Sequence, residues 1–492
     1  MQLPFGEWLP DQPDNLNPGA TVATNVYHAQ TSYKPVKGLV PYSGSSTVTQ
    51  NAKGAGSFRD NTNTVFTFVG TKDNIYKLTS GTFTSVKGSL TISGTDTDFF
   101  TFTQFGQYII ASNGVNAPMY YLMGTSTNFA TLQSIATAGT VPAKFRVSGV
   151  IRDFLVTGNI ENAKNKVAWS GINDISTWEA GVSSSDTQVL PGSGGQVVAI
   201  TSGEIGYVFR QNQITRMDFV GGNVVFRFSV ISPNRGAVYG QTVCQDNRQV
   251  FFYADDGFFQ INGDQVLPIG AEKINRFFES DLNKAFTDRI TAAVDPFNTL
   301  AIWLYPSKNN AGNTTGVCDR LLIYNYVTQK WSIANVQASQ IFEQFVSFNT
   351  VELMDLISEN LDEINISLDT PYWTAGHLRL GAIDGNFKAA IFSGTNLEAE
   401  LETREQEIFP GLRANITGIR PIVDAVANVT IKTRDRLADN VTTSTSSSMN
   451  DTGISPVRQS GRYFRANVKV PAGTVWSHAQ GIDLTASQGG SR

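Results

Sequence analysis

The sequence is poor in the residues that do chemistry. Its 492 residues include only three histidines, the isolated His28, His377 and His478, and two distant cysteines, Cys244 and Cys318. Scattered histidines argue against a metal site with the usual His/Cys spacing and against a serine-type triad. Two separated cysteines make no disulfide framework, so buried free thiols are expected. Charge is sparse as well: Asp, Glu, Lys and Arg together are 16% of the chain, and the formal net charge is −5. With no basic excess there is no global footprint for gripping nucleic acid. No apolar run reaches the roughly eighteen residues that a membrane-spanning helix needs. The opening MQLPFGEWLP has neither a basic nor a strongly apolar segment, which predicts no secretory signal.

What is present points to strands. Hydrophobic residues are 41% of the chain, enough for a folded core, and 44 glycines accompany many Thr, Ser, Asn and Gln. That mixture favours extended segments and tight turns over solvent-exposed helices, which lean on Glu, Lys and Arg. The clearest unit is FFYADDGFFQINGD (251–264), two apolar runs around Asp-Asp-Gly. Such a pattern is a strong hairpin signal, because glycine supplies the positive φ that primed turns demand.

Variants of this hairpin recur. Val65–Val69 leads to Ile75–Leu78, Tyr108–Ala111 to Met119–Leu122, and Phe154–Thr157 to Val167–Trp169. Tyr207–Arg210 leads to Ile214–Phe219, Leu300–Leu304 to Leu321–Tyr324, and His377–Leu380 to Asn386–Phe392. Copies lie roughly 40–50 residues apart, the period of a four-stranded propeller blade. One blade cannot bury both faces of its sheet, whereas blades stacked around an axis can. The expected fold is therefore all-β: a β-propeller over 61–394, an additional antiparallel β domain over 395–492, and an N-terminal arm over 1–60 packing with that domain. The pattern admits five, six or seven blades, with six the central expectation.

Two stretches break the β texture. Ile274, Phe277, Phe278 and Leu282 fall at helical spacing within Glu272–Phe286. Gln340–Ile366, with apolar residues among acidic ones, reads as a short helix or an inter-blade loop suited to docking. After 395, NLEAELETREQEIF alternates, placing Glu398, Glu400 and Glu402 on one strand face. Strands are expected at Ala414–Ile422, Ala427–Thr433 and Tyr463–Val470, with the Ser/Thr tract Val441–Met449 as a long hairpin loop.

The search for chemistry returns little. PGSGGQ (191–196) lacks the Lys-Ser/Thr ending of a phosphate loop. Asp96, Asp98, Asp255 and Asp256 do not extend into a calcium loop and read as turn formers. The Glu398–Glu402 row is better read as a solvated or channel-facing carboxylate face than as an acid/base pair, which would flank a sugar from different elements. Lys432, Arg434 and Arg436 alternate on one strand face without interleaved aromatics, so pairing with carboxylates is favoured over nucleic-acid contact. No cofactor or metal is expected, and no enzymatic activity.

Several segments resemble the tail hub or nozzle proteins of short-tailed bacteriophages, which include packaged-DNA stabilisation proteins. KVAWSGINDISTWEAG (166–181), FFYADDGFFQINGDQVLPIGAEKINRFF (251–278), LLIYNYVTQKWS (321–332) and LDEINISLDTPYWTAG (361–376) are similar to segments of that family. LEAELETREQEIF, ITGIRPIVD (416–424), VTIKTRD (429–435) and SGRYFRANVKV (460–470) follow in the family's order. Residues 1–60 and the Ser/Thr tract have no match. The resemblance implies a structural virion protein made in the host cytoplasm and built into the tail. It would form a homo-oligomeric ring, a hexamer, below the portal and adaptor, lining the exit channel for double-stranded DNA. Tail fibres or spikes, a tip or needle protein and, indirectly, the host surface would be its neighbours. On that reading Glu398, Glu400 and Glu402 are candidate channel-facing carboxylates, and Phe5 and Trp8 are candidate adaptor contacts of the arm. The competing expectations are a sialidase-like propeller glycosidase, suggested by WSGINDISTW, and a carbohydrate- or receptor-binding tail module.

Overall fold

The computed structural model describes residues 1–492 apart from 16, 45, 223, 309–314, 347–376 and 491–492. The chain is all-β, a β-propeller carrying an additional antiparallel β domain built with the N-terminal arm. Five four-stranded antiparallel meanders form the first five blades, starting at Ala55–Arg59, Thr101–Phe105, Phe145–Ile151, Val197–Ile200 and Cys244–Asp246. The sixth blade is Thr291–Asp295, Leu300–Tyr305, Cys318–Asn325 and the first half of the long strand Lys330–Val346. The second half of that strand opens a seventh blade with His377–Asp384 and Ala389–Asn396, and the arm's Lys37–Pro41 supplies its outermost strand.

The blade count is therefore seven, because one strand serves two blades and the last blade is completed by the N-terminal arm. Part of the stretch expected as a helix or loop is that shared strand: Gln340–Val346 is the seventh blade's innermost strand, and 347–366 lies outside the described residues. Closure is visible in the core. Seven apolar clusters fill the seven junctions, and the one joining Phe342 and Ile383 to Val69, Tyr76 and Leu78 seals the last blade against the first. This ring removes free faces without a disulfide; both cysteines are buried and free.

The junction between the fifth and sixth blades is the most aromatic. Phe258 lies edge-on to Trp303 and Phe278, with ring centroids 4.9 Å apart in each case. The fifth blade's hairpin differs in detail from an Asp-Gly primed turn. The two-residue loop is Asp255–Asp256, and Gly257 opens the return strand with φ +128°. A Cβ at Gly257 would meet the Asn275 amide at 2.0 Å, so close approach of the following helix is what demands glycine. That helix, Asn275–Asp281, buries Phe278 and Asp281 and continues into a 3-10 segment, Lys284–Arg289.

Candidate functional site

Two places gather polar groups in unusual surroundings: the platform made by the two chain termini, and the axis of the propeller.

The platform is a two-sheet sandwich. In one sheet Ala479–Gln488 is flanked by Ala414–Val423 and, from the arm, by Gln2–Pro4 and the hairpin Val26–Ala29/Ser32–Pro35. In the other, Asn428–Arg434, Tyr463–Val470 and Ala399–Glu402 lie side by side, and the arm's Val22–Thr24 joins them edge to edge to the sixth blade at Thr24–Ile333. The Ser/Thr tract contributes two short strands, Thr442–Thr443 and Ser447–Ser448, to the Asn428–Arg434 edge rather than standing free as a loop. One core runs through the sandwich and into the fifth and sixth blades. Platform and propeller are thus welded by a continuous sheet and a continuous core.

Strand alternation puts the carboxylates opposite the basic face as the sequence suggested, but the result is a ladder of pairs. Glu402 is 1% exposed, 2.5 Å from Lys432 and 3.6 Å from Arg465. It also accepts from Thr21 of the arm at 2.9 Å and from the Asn467 amide at 3.1 Å. Glu405, also buried, takes a two-pronged contact from Arg434. Glu400 and the exposed Glu398 share Lys469, at 3.2 and 3.9 Å. Glu402 therefore faces no channel: its charge is needed inside the subunit, where a buried carboxylate survives only with partners. Phe5 and Trp8 are corrected in the same way. Both are buried, with Trp8 edge-on to Phe277 at 5.0 Å, so they anchor the arm to its own chain and are not free for an adaptor. Alternation found the glutamates; it could not find Thr21 or Arg465, whose approach depends on pairing between distant segments.

The axis is enclosed by the innermost strands of all seven blades, which line a cavity of ≈640 Å³. Its wall is of Ser, Thr, Gln, small residues and phenylalanines, and among the described residues Glu343 is the one charged side chain on it. Burial pushes the Glu343 carboxyl up to about 7, helped by nearby Asp246 and opposed by the backbone N–H of Val294. At one mouth Gln241 donates to the Lys53 carbonyl at 3.4 Å, tying the fifth blade's lead-in to the first blade's.

The remaining candidates have structural duties. PGSGGQ wraps the guanidinium of Arg210, 1% exposed, which donates to the carbonyls of Pro191, Gly192 and Gly195 at 2.7, 3.0 and 2.9 Å. In WSGINDISTW, Asp174 accepts from Ser176 N, Ser176 Oγ and Thr177 Oγ1 within its own turn. Burial pulls its carboxyl upward, but these bonds outweigh it and hold it below the ordinary value. Asp98 pairs with Arg146 and Asp256 with Arg235. His28 is buried against Lys330, with 3.0 Å between Nε2 and Nζ, and burial followed by that lysine lowers its pKa to about 4. His478 sits 3.5 Å from Asp424. Among the described residues no group of three or more His, Cys, Asp or Glu side chains could hold a metal, and no helix is long and apolar enough to cross a membrane. The segment 361–376 lies outside the described residues.

No family model matches the chain, and no curated protein matches it. Solved structures do. The extracellular domain of a hybrid two component system from B. thetaiotaomicron is 10% identical with a TM-score of 0.42, over 72% of this chain and 39% of that one. A chain of the Mitotic Checkpoint Complex is 9% identical with a TM-score of 0.39, over 75% of this chain and 96% of that one. The Pan2 WD40 domain of Neurospora crassa is 8% identical with a TM-score of 0.39, over 74% and 96%. Each is a likeness in fold.

Proposed function

We propose that the protein is a structural subunit of a ring-shaped tail hub or nozzle in a short-tailed bacteriophage. The ring, a homohexamer, sits below the portal and adaptor, retains the packaged genome and passes it at ejection. The observation that carries the reading is the weld between the two bodies. Both chain ends are folded into one platform, and that platform shares a sheet and a core with the propeller. A subunit of a pressurised ring needs such a rigid wedge, with an interdomain junction too extensive to hinge freely. The order of the resembling segments supports the same reading. FFYADDGFFQINGD forms the fifth blade, LLIYNYVTQKWS the sixth, and the segments after 395 the platform.

The platform is the adaptor-facing base in this proposal, and the propeller points away from the capsid toward fibres, tip protein and host surface. The genome channel lies between subunits, since the propeller's own axis is only a cavity of ≈640 Å³. A net charge of −5 suits a wall past which DNA slides, because a basic wall would hold phosphate by counterion release. Negative-stain images of the purified protein with and without an adaptor-loaded portal test this. Rings capping the portal are expected; free monomers in both samples would overturn it. A propeller glycosidase is the competing reading; Asp174, in the segment that suggested it, is committed to its own turn. Fluorogenic glycosides should show no turnover.

A further inference from the structure

The axial cavity is chemically one-sided. Four glutamines on its wall donate from their amide nitrogens to backbone carbonyls. Gln104 donates to Arg59 and Gly106 at 2.9 and 3.0 Å, and Gln245 to Ser202 at 2.7 Å and to Asn247. Gln241 donates to Lys53 at 3.4 Å and Gln340 to Ile341 at 3.3 Å. Each amide spends at least one N–H on a carbonyl, and among the described residues the hydrogen bonds of these side chains leave the amide oxygens free to accept. Among the described residues the single charge on the wall is the Glu343 carboxylate, and no lysine or arginine lines the cavity. Lys53, near the mouth, points its ammonium at the Asp96 carbonyl. Among the described residues Glu343 has no ion-pair partner, in contrast to Glu402 and Glu405 on the platform. The groups that face it are Cys244 and Asp246 of the fifth blade and Tyr326 of the sixth, none of them cationic. Tyr326 donates to Asp246 at 2.6 Å, and among the described residues no side chain donates to Glu343. Ser and Thr side chains make up much of the rest of the wall, and Phe58, Phe99, Phe100 and Phe102 add apolar ring surface.

A partly enclosed anion, amide acceptors and apolar ring surface are together the recognition chemistry of an organic cation with an alkyl chain. We infer that the axial cavity binds a primary alkylammonium ion, with Glu343 as counter-ion, glutamine oxygens accepting its N–H bonds and the phenylalanines covering its alkyl chain. A strongly hydrated divalent cation fits less well, since it demands several oxygen ligands at short range and no second free carboxylate is supplied.

The test is calorimetric titration of the full-length protein with n-butylammonium chloride, against n-butanol and magnesium chloride. Saturable butylammonium binding is expected, tighter by about tenfold at pH 8 than at pH 6 as Glu343 ionises. Glu343→Gln should weaken it at least tenfold at pH 8 while leaving thermal unfolding cooperative. In the unsubstituted protein, butylammonium should also lower the titration midpoint of the Glu343 carboxyl ¹³C shift, a readout independent of any variant. Equal binding of butanol, binding of magnesium that butylammonium fails to displace, an unmoved ¹³C midpoint or full binding by the variant would each overturn the assignment. None of these outcomes bears on ring formation.

Discussion

The propeller and the platform solve the same packing problem by opposite means. Each of the first five blades is a meander of strands adjacent in sequence, and the junctions between them are filled by apolar and aromatic side chains. The platform is sewn from the two ends of the chain. Gln2–Pro4 pairs with Gly481–Asp483, and Val22–Thr24 with Glu400–Glu402. Its interior carries charges, Glu402 and Glu405, each bound to a base. Local hairpins form without large loop-closure costs, whereas the platform must await both termini and then select one register. A buried ion pair adds little net stability but penalises every wrong register by leaving a charge alone.

The sharpest way to break the comparison is to remove the arm. A chain beginning at Tyr42 loses the outermost strand of the seventh blade and the arm strands of both platform sheets. We expect it to lack a cooperative thermal transition by calorimetry, or to be insoluble. An unchanged transition would show that the blades close without the arm.

Next in size is Glu402→Ala. It strands Lys432 and frees Thr21, and breaking a buried pair from one side costs about 3–5 kcal/mol. The pair of changes Glu402→Met with Lys432→Met should cost clearly less than Glu402→Ala alone, because Lys432 is no longer stranded and Arg465 keeps Asp14 at 3.2 Å. Denaturant melts of the single and double variants give the answer, and equal costs would mean the pair is not what specifies the platform.

The difference between the two bodies is also the difference in what could be read from the sequence. All seven central strand pairs of the blades were legible, because the two strands of each are adjacent in sequence and most flank a short turn, as in Tyr108–Ser112 and Met119–Leu122 around Asn113-Gly114. The number of blades was not. The seventh blade borrows Lys37–Pro41 from the arm, and nothing local to Ala389–Asn396 announces that partner. Gln340–Val346 read as a helix or loop because its apolar and polar residues come in pairs, Ile341-Phe342 then Glu343-Gln344, with no period-two alternation to mark a strand. On the platform, alternation placed three glutamates on one face but said nothing of depth. Glu398 is exposed and Glu402 buried because the neighbouring strand and the arm cover only one end of the row. The axial cavity was invisible for the same reason, since its wall takes a few residues from each of seven separated strands.

A smaller effect tests the propeller's local logic. Gly257→Ala places a Cβ against Asn275 at a φ that alanine rarely adopts, without altering a charged group. A loss of about 2 kcal/mol in a urea melt is expected, from strain at a single backbone position. Gly257→Ala combined with Asn275→Ala should recover the steric part and leave the conformational part. If the double variant is no better, close approach of the helix is not the reason for glycine.

The smallest effect asks whether the propeller holds any charge at a cost, as the platform does with compensation. Burial raises the Glu343 carboxyl from 4.5 to about 7. Between those values the folded protein binds a proton that the unfolded chain has released, so stability falls as pH rises from about 4.5 to 7. Below 4.5 both states are protonated and the group contributes no difference; above 7 the penalty is complete. Solvent in the cavity screens part of it, leaving about 1–2 kcal/mol. Glu343→Gln should remove this term, so the variant should gain on the parent at pH 8 and match it near pH 4. Opposing this on the parent's acid side, His28 has its pKa lowered to about 4 and loses its contribution as pH falls from 6.5 toward that value. The difference between variant and parent cancels the His28 term and isolates Glu343. Paired melts across this range decide the matter: a gain independent of pH would place the carboxylate in ordinary solvent, and the contrast with the paired carboxylates of the platform would fail.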